Sequence, residues 1–173
     1  DTDISRPYPC CLAHPLQTDP TVLGEATNWS IEWKWDGIRG QIIRRAGHSF
    51  LWSRGEEMIL DRFPELIEPI ASLPDGCVLD GEILAWRDGQ ALPFGELQRR
   101  IGRKSVGRKL LAEVPVCFVA FDALEMAGQD IRHESFTIRR RQLENILADR
   151  TDNGSLKPSP LIRATTWEEL AQY

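Results

Sequence analysis

The chain has 173 residues, a formal net charge of -5 and an apolar fraction of 42%. That length suits one domain, or two small ones, with enough chain to bury a sizeable core. No apolar run approaches a helical membrane span, and no global excess of basic charge draws nucleic acid, so any such contact must come from a local patch.

In chain order, residues 1–28 carry Pro7, Pro9, Pro15 and Pro20, which predicts an irregular lead-in with short turns. Residues 29–35 (WSIEWKW) alternate apolar and polar, the pattern of a half-buried strand. Asp36-Gly37 is a turn signal, and IRGQIIRR after it reads as the second strand of a hairpin. Ala46-Gly47-His48 turns again into a strand over SFLWS. A short helix is expected around FPELIEPIASL, with Pro64 at its first position and Pro69 ending or kinking it. CVLDGEILAW reads as a strand, followed by a hairpin turn at Asp88-Gly89 and a short return strand.

Residues 93–103 look helical, with Leu97 and Ile101 four apart, and residues 115–125 read as a buried strand. Residues 135–150 predict an amphipathic helix with Ile138, Leu143, Ile146 and Leu147 towards one side and arginines between, most facing solvent. Lys157 to Ile162 suggests a strand, and Thr166 caps a last helix at WEEL. Antiparallel strands with interspersed helices give an α+β fold.

Cys10, Cys11, Cys77 and Cys117 form no CxxC pair, which disfavours a structural zinc site. They read as small buried apolar residues in a reducing cytoplasm. The chain starts at Asp1 and holds methionine only at Met58 and Met126, which suggests a piece of a longer protein.

Four groups of residues carry chemistry. On a strand, Glu32, Lys34 and Asp36 share one face and Trp33 and Trp35 the other. An amine between two carboxylates is a candidate site, although charge pairing on an edge strand explains it equally well. Asp80 and Glu82 share a strand face and could hold a sugar hydroxyl or hydrated Mg²⁺, or simply rim a bulge. Arg54, after the third strand, can grip a phosphate bidentately or be solvated. Phe121 is a strand aromatic, a position that is usually core.

The order of these groups is familiar. KWDGIR resembles the Lys-x-Asp-Gly-x-Arg signature of the covalent nucleotidyltransferases, namely DNA ligases, RNA ligases and capping enzymes. SRG, LDGEI and FVAFDAL follow in that family's order. PYPCCLAHPL, EWKWDGIRGQ, LWSRGEE, RFPEL, LPDGCVLDGEILAW and PFGELQRRIGRK resemble bacterial ATP-dependent DNA ligases over nearly the whole chain.

The resemblance implies an ATP-grasp-like adenylation domain within residues 29–173, with flanking helices around mainly antiparallel sheets. It implies that Lys34 is the adenylated nucleophile and that Glu32 accepts a hydrogen bond from the adenine amine. Arg39 and Glu82 match positions near the ribose hydroxyls. Arg54 matches a ribose or phosphate contact, with Gly55 where asparagine is common. Phe121 matches the aromatic that stacks on adenine, and Asp36 and Asp80 are supporting carboxylates. The implied cofactors are ATP and Mg²⁺; the implied partner is nicked duplex DNA, bound by a cytoplasmic monomer. The basic stretch Arg99, Arg100, Arg103, Lys104, Arg108 and Lys109 is a candidate DNA-backbone contact, or else a solvated surface.

The chemistry suits these roles. A nucleophilic lysine must be neutral, and for an ordinary lysine with a pKa near 10.4 losing the proton at pH 7 costs roughly 4.6 kcal/mol. Neighbouring cations and desolvation reduce that cost. The family pattern continues with a glutamate motif for the metal, a lysine motif for the α-phosphate and an OB-fold domain. None is found in residues 123–173, so the chain is expected to be truncated and to adenylate poorly alone. The alternatives are an RNA ligase or capping-type enzyme, and a non-catalytic nucleotide- or DNA-binding module.

Overall fold

The computed structural model describes residues 3–101, 103, 106–148, 150 and 154–173. The chain divides into two compact units. The larger comprises the N-terminal residues up to Tyr8 together with Trp35–Pro158; the smaller comprises Pro9–Lys34 and Ser159–Tyr173. The α+β expectation holds, with antiparallel pairing dominant.

The larger unit is built on one sheet. Its central strands are β2 (Ile38–Arg45), β3 (His48–Ser53), β4 (Cys77–Arg87) and β6 (Val116–Met126), in the order β3-β2-β4-β6, with β7 (Gln129–Asp130) at the far edge. The two-residue β5 (Gln90–Ala91) pairs with β4, and β8 (Leu156–Pro158) lies parallel to β6. Three hairpins close through the same kind of two-residue turn, at Ala46-Gly47, Asp88-Gly89 and Ala127-Gly128, each residue with φ between 48° and 81°. That backbone twist matches the strands it joins. The first two turns are signalled in the sequence; the third has only its glycine to mark it.

One face of the sheet carries the main core. Ile42, Leu51, Leu79, Ile83, Phe118 and Ala120 pack there against helices α1 (Pro64–Ala71), α2 (Phe94–Ile101), α3 (Arg108–Glu113) and α4 (Phe136–Leu147). Central strands buried on both faces explain the near-continuous apolar runs of β4 and β6. Helix α1 begins at Pro64 as expected and ends two residues after Pro69. The helix runs through it to Ala71, and the Pro69 carbonyl is satisfied by the Ser72 hydroxyl at 2.8 Å and by Arg150 at 2.7 Å.

Helix α4 starts at its Ser135 cap and buries Leu143 and Leu147, but Ile138 is 41% exposed. Its arginines also depart from expectation. Arg139 chelates Asp122 at 2.8 and 3.1 Å, and Arg140 is buried and bonded to Glu144 at 2.7 Å, which leaves Arg141 as the exposed member.

In the smaller unit, β1 (Ile31–Glu32) pairs with β9 (Leu161–Ile162). Asp19 caps a 3₁₀ turn at Pro20–Leu23, accepting from the Thr21 amide at 2.9 Å. The indoles of Trp29 and Trp167 donate to the carbonyls of Leu23 and Gly24 at 3.0 and 2.8 Å. Thr166 and Glu169 form a reciprocal capping box on α5 (Trp167–Leu170), as the sequence predicts.

Two pairings differ from expectation. The alternating segment 29–35 is strand only at Ile31 and Glu32, so the shared face of Glu32, Lys34 and Asp36 does not form. It does not make a hairpin with β2 either: β2 pairs with β3 and β4. Neither Asp36 nor Gly37 has the positive φ that a tight hairpin turn needs. The expected strand at 157–162 is two short strands, one in each unit, separated at Ser159-Pro160, where a proline has no amide to donate. No helix among the described residues is long and apolar enough to cross a membrane.

Candidate nucleotide site

Of the sequence-predicted residues, the sheet face opposite the helices carries Arg39, Asp80, Glu82 and Phe121. Arg39 on β2 is the cross-strand neighbour of Glu82 on β4, so the two side chains share that face. Gln41 is likewise opposite Asp80. The Arg39 guanidinium reaches diagonally to Asp80, donating from Nε to Oδ1 and from Nη2 to Oδ2, both at 2.8 Å. Glu82 accepts from the Gly37 amide at 3.2 Å.

Two glycines make this arrangement possible. A Cβ on Gly37 would lie 2.2 Å from the Ile83 carbonyl oxygen. A Cβ on Gly81, between the two carboxylates, would lie 2.5 Å from both the Phe118 ring and the Val119 carbonyl. In LDGEI the glycine therefore lets β4 and β6 close over Phe118 while Asp80 and Glu82 point the other way.

Phe121 stands at a β-bulge. Asp80 pairs with Asp122 and Gly81 with Ala120, so Phe121 is the extra residue of β6. A bulge breaks the alternation. Phe121 is partly buried, and the Arg39 guanidinium carbon lies 4.5 Å from its ring centroid. The neighbouring Asp122 is held by Arg139 and by the Ala123 amide at 2.9 Å. Burial pushes the Asp80 carboxyl above its ordinary value, with the Arg39 hydrogen bonds and charge opposing the shift.

Arg54 is exposed after β3, and its amide donates to the Arg39 carbonyl at 3.2 Å, which ties its backbone to β2. Asp36 is exposed, just ahead of Gly37. Lys34 and Glu32 belong to the smaller unit: Lys34 is its exposed last residue before Trp35, and Glu32 is partly buried on β1.

The basic stretch does not form one surface. Arg100 is 2% exposed; its guanidinium is chelated by Glu65, donates to the Val114 carbonyl at 2.8 Å and lies 5.3 Å from the Phe63 ring. It is a core cation and leaves the set of candidate DNA contacts. Arg99 pairs with Glu96 and Glu113, both at 2.6 Å. Arg103, Arg108 and Lys109 are exposed, the last two on α3. Lys104 lies outside the described residues. Of the cysteines, Cys77 and Cys117 are buried and their thiols pushed up to about 12 by that burial, whereas Cys11 is exposed and Cys10 only partly buried.

Sequence reasoning missed a cluster on the same face, further along β4. The Trp35 and Trp86 rings meet edge to face at 6.2 Å and 65°, and the Lys157 ammonium lies 3.8 Å from the Trp86 centroid. Trp86 stands on β4 in the same alternation as Asp80 and Glu82, which was the available signal.

Residues 10–173 match the family model described as ATP dependent DNA ligase domain. A probable DNA ligase of Koribacter versatilis is 39% identical over 144 residues, covering 83% of this chain and 25% of that protein. A DNA ligase of Haloferax volcanii is 36% identical over 174 residues, covering 99% of this chain and 29% of the relative. The chain thus spans only 25% and 29% of the length of these two relatives. Among solved structures, the ligase domain of LigD from M. tuberculosis superposes with a TM-score of 0.66 at 26% identity, over 86% of this chain and 45% of that one. A mycobacterial DNA ligase D complexed with ATP and MES gives 0.64 at 27% identity over the same shares. The chain belongs to the ATP-dependent DNA ligase domain family.

Proposed function

We propose that this chain is part of the adenylation domain of an ATP-dependent DNA ligase and that Lys34 is its nucleophile. The observation that carries the reading is the path of the Lys34–Arg39 segment. It runs directly into β2, where Arg39 stands on one sheet face with Asp80, Glu82 and the bulged Phe121. A partly buried aromatic, a fixed guanidinium and a carboxylate suit a base and a ribose.

In this reading the neutral Lys34 amine attacks the α-phosphorus of ATP. A phosphorus–nitrogen bond forms, the bond to the bridging oxygen breaks, and pyrophosphate leaves. AMP then passes to a DNA 5′-phosphate, and a 3′-hydroxyl displaces it as the nick is sealed. In-line attack depends on placement more than on covalent activation. Glu32 accepts from the adenine amine, which favours ATP over GTP because guanine presents a carbonyl there. Phe121 stacks on the base, Arg39 and Glu82 orient the ribose, and Arg54 takes a ribose or phosphate oxygen. Asp80 holds Arg39 in place; Asp36 supports the nucleophile's segment.

Magnesium enters this reading with the triphosphate. The carboxylates described here are a poor cage for it. Asp80 chelates Arg39, Asp122 chelates Arg139, and among the described residues no three acidic, histidine or cysteine side chains converge. The duplex partner would be held through Arg99, Arg103, Arg108 and Lys109 by a monomer acting in the cytoplasm. An RNA ligase or capping activity is not favoured, since the named relatives are DNA ligases.

The test uses the longest natural polypeptide that carries this chain. With α-labelled ATP, label should attach to the protein and chase into sealed DNA nicks. Lys34→Ala should abolish both. Sealing that survives this change would overturn the covalent mechanism.

A further inference from the structure

We propose that Trp86 and Lys157 are positioning residues for the nucleophile: they clamp Trp35, the residue bonded to Lys34, against the face of the central strands β4 and β6. The inference rests on the reading of Lys34 as the adenylated lysine.

Lys34 itself is exposed at the end of the smaller unit, and a lysine side chain has four rotatable bonds. Such an amine reaches an in-line position reproducibly only if its Cα is fixed. The chain on its C-terminal side is fixed in two ways. Gly37 is wedged against the Ile83 carbonyl, with its amide donating to Glu82. Two residues earlier, the Trp35 ring packs on the buried cluster of Leu84, Cys117 and Val119 and meets Trp86 edge to face.

Trp86 is a firm anchor. Its amide donates to the Pro115 carbonyl at 2.8 Å, and it pairs in register with Ala91. Its ring is covered by Lys157, which β8 places beside Val119 on the neighbouring strand β6. A cation on an indole face is attracted by the ring's quadrupole. Lys157, Trp86 and Trp35 therefore form a chain of ring contacts from three separated stretches of sequence, ending one bond from Lys34. Packing alone would explain a tryptophan pair here. It would not explain a lysine ammonium seated over one of them, 3.8 Å from its centroid.

Positioning predicts a loss of rate without a loss of ATP affinity. The measurement is single-turnover formation of labelled lysyl-AMP by the longest natural polypeptide carrying this chain, across a range of ATP concentrations. Trp86→Ala should lower the saturated rate by about tenfold or more, since small misplacements at a reacting centre cost up to about a hundredfold. The apparent KM for ATP should move by less than about threefold, because no contact to ATP is removed. Trp86→Phe should keep most of the rate. Lys157→Met should slow the step, and Lys157→Arg should restore it.

An unchanged rate in Trp86→Ala would overturn the proposal, as would a loss expressed only in KM, or Lys157→Arg as slow as Lys157→Met. Thermal melting monitors folding. If Trp86→Ala melts early, the Lys157 pair decides. Lys34→Ala separates the two layers of inference: label on that variant would sink the nucleophile reading itself. A dead Lys34→Ala beside a fully active Trp86→Ala would sink only the clamp.

Discussion

Arg39 and Asp80 are joined by two hydrogen bonds of 2.8 Å across β2 and β4, and the guanidinium that makes them also covers the face of Phe121. The side chain of Asp80 is 3% exposed and that of Arg39 is 21% exposed. Burial disfavours the carboxylate while the hydrogen bonds favour it, and burial is the larger influence. A pair of this kind contributes orientation more than net stability. Asp80→Ala, which leaves the cation unpaired, should therefore destabilise by about 2–3 kcal/mol in urea unfolding. The double change Arg39→Met with Asp80→Leu should recover most of that loss. Strictly additive losses would show that the two residues do not act as a pair.

Within the larger unit, a second charged network ties the N-terminal segment to the sheet. The Tyr8 hydroxyl donates to Glu125 at 2.7 Å, and the same carboxylate receives Arg45 at 2.6 Å. Burial, followed by the bond to Glu125, pushes the Tyr8 phenol from 10.0 up to about 12. The folded state thus holds this proton more tightly than the unfolded chain does. The resulting stabilisation is complete below pH 10 and is lost as pH rises towards about 12. Phenolate absorbance, taken as the difference between the wild type and Tyr8→Phe, should titrate near pH 12 in the folded protein. A midpoint at the ordinary tyrosine value would contradict the network. Melting temperature should also fall more steeply above pH 10 in the wild type than in Tyr8→Phe.

Local patterns disclosed the elements better than their partners. The apolar runs of β4 and β6, the hairpin at Asp88-Gly89 and the capped helix at Trp167 follow from composition and short spacing. The pairing of β1 with β9 joins residues some 130 apart, and no local pattern encodes it. The same holds for the parallel placement of β8 on β6. The candidate site was legible as a set of residues but not as geometry. A bulge adds one residue to one strand and leaves no mark in composition, so the pairing of Asp80 with Asp122 instead of Phe121 was invisible. Arg100 shows the reverse error: among basic neighbours it reads as surface, yet Glu65 and the Val114 carbonyl hold it inside.

The hairpin turns offer a gain in stability. Ala46 has a φ of 49°, in the left-handed region that costs a residue with a Cβ roughly 1–2 kcal/mol. Ala46→Asn would place the preferred Asn-Gly pair between Arg45 and His48 and should stabilise by about 0.5–1 kcal/mol. Gly81→Ala is the contrasting case. Its methyl group would meet backbone and ring at 2.5 Å, and overpacking of that kind should cost about 3 kcal/mol. A shift in urea midpoint at constant slope reads both effects. A neutral Gly81→Ala would mean that β4 and β6 can separate without penalty.

Arg100 and Arg108 separate stability from DNA binding within one basic stretch. Arg100 is buried, so Arg100→Ala would leave the Glu65 carboxylate and the Val114 carbonyl without their donor and should destabilise by about 3–5 kcal/mol. Arg108 is exposed on α3, and Arg108→Ala should alter stability by less than about 0.5 kcal/mol. If Arg108 meets a DNA phosphate, its removal should reduce the slope of log affinity against log salt by about 0.9, equally for unrelated duplex sequences. An unchanged slope for Arg108→Ala, Lys109→Ala and Arg103→Ala alike would remove this stretch from the DNA interface. A stable, folded Arg100→Ala that had lost DNA affinity would instead return Arg100 to it.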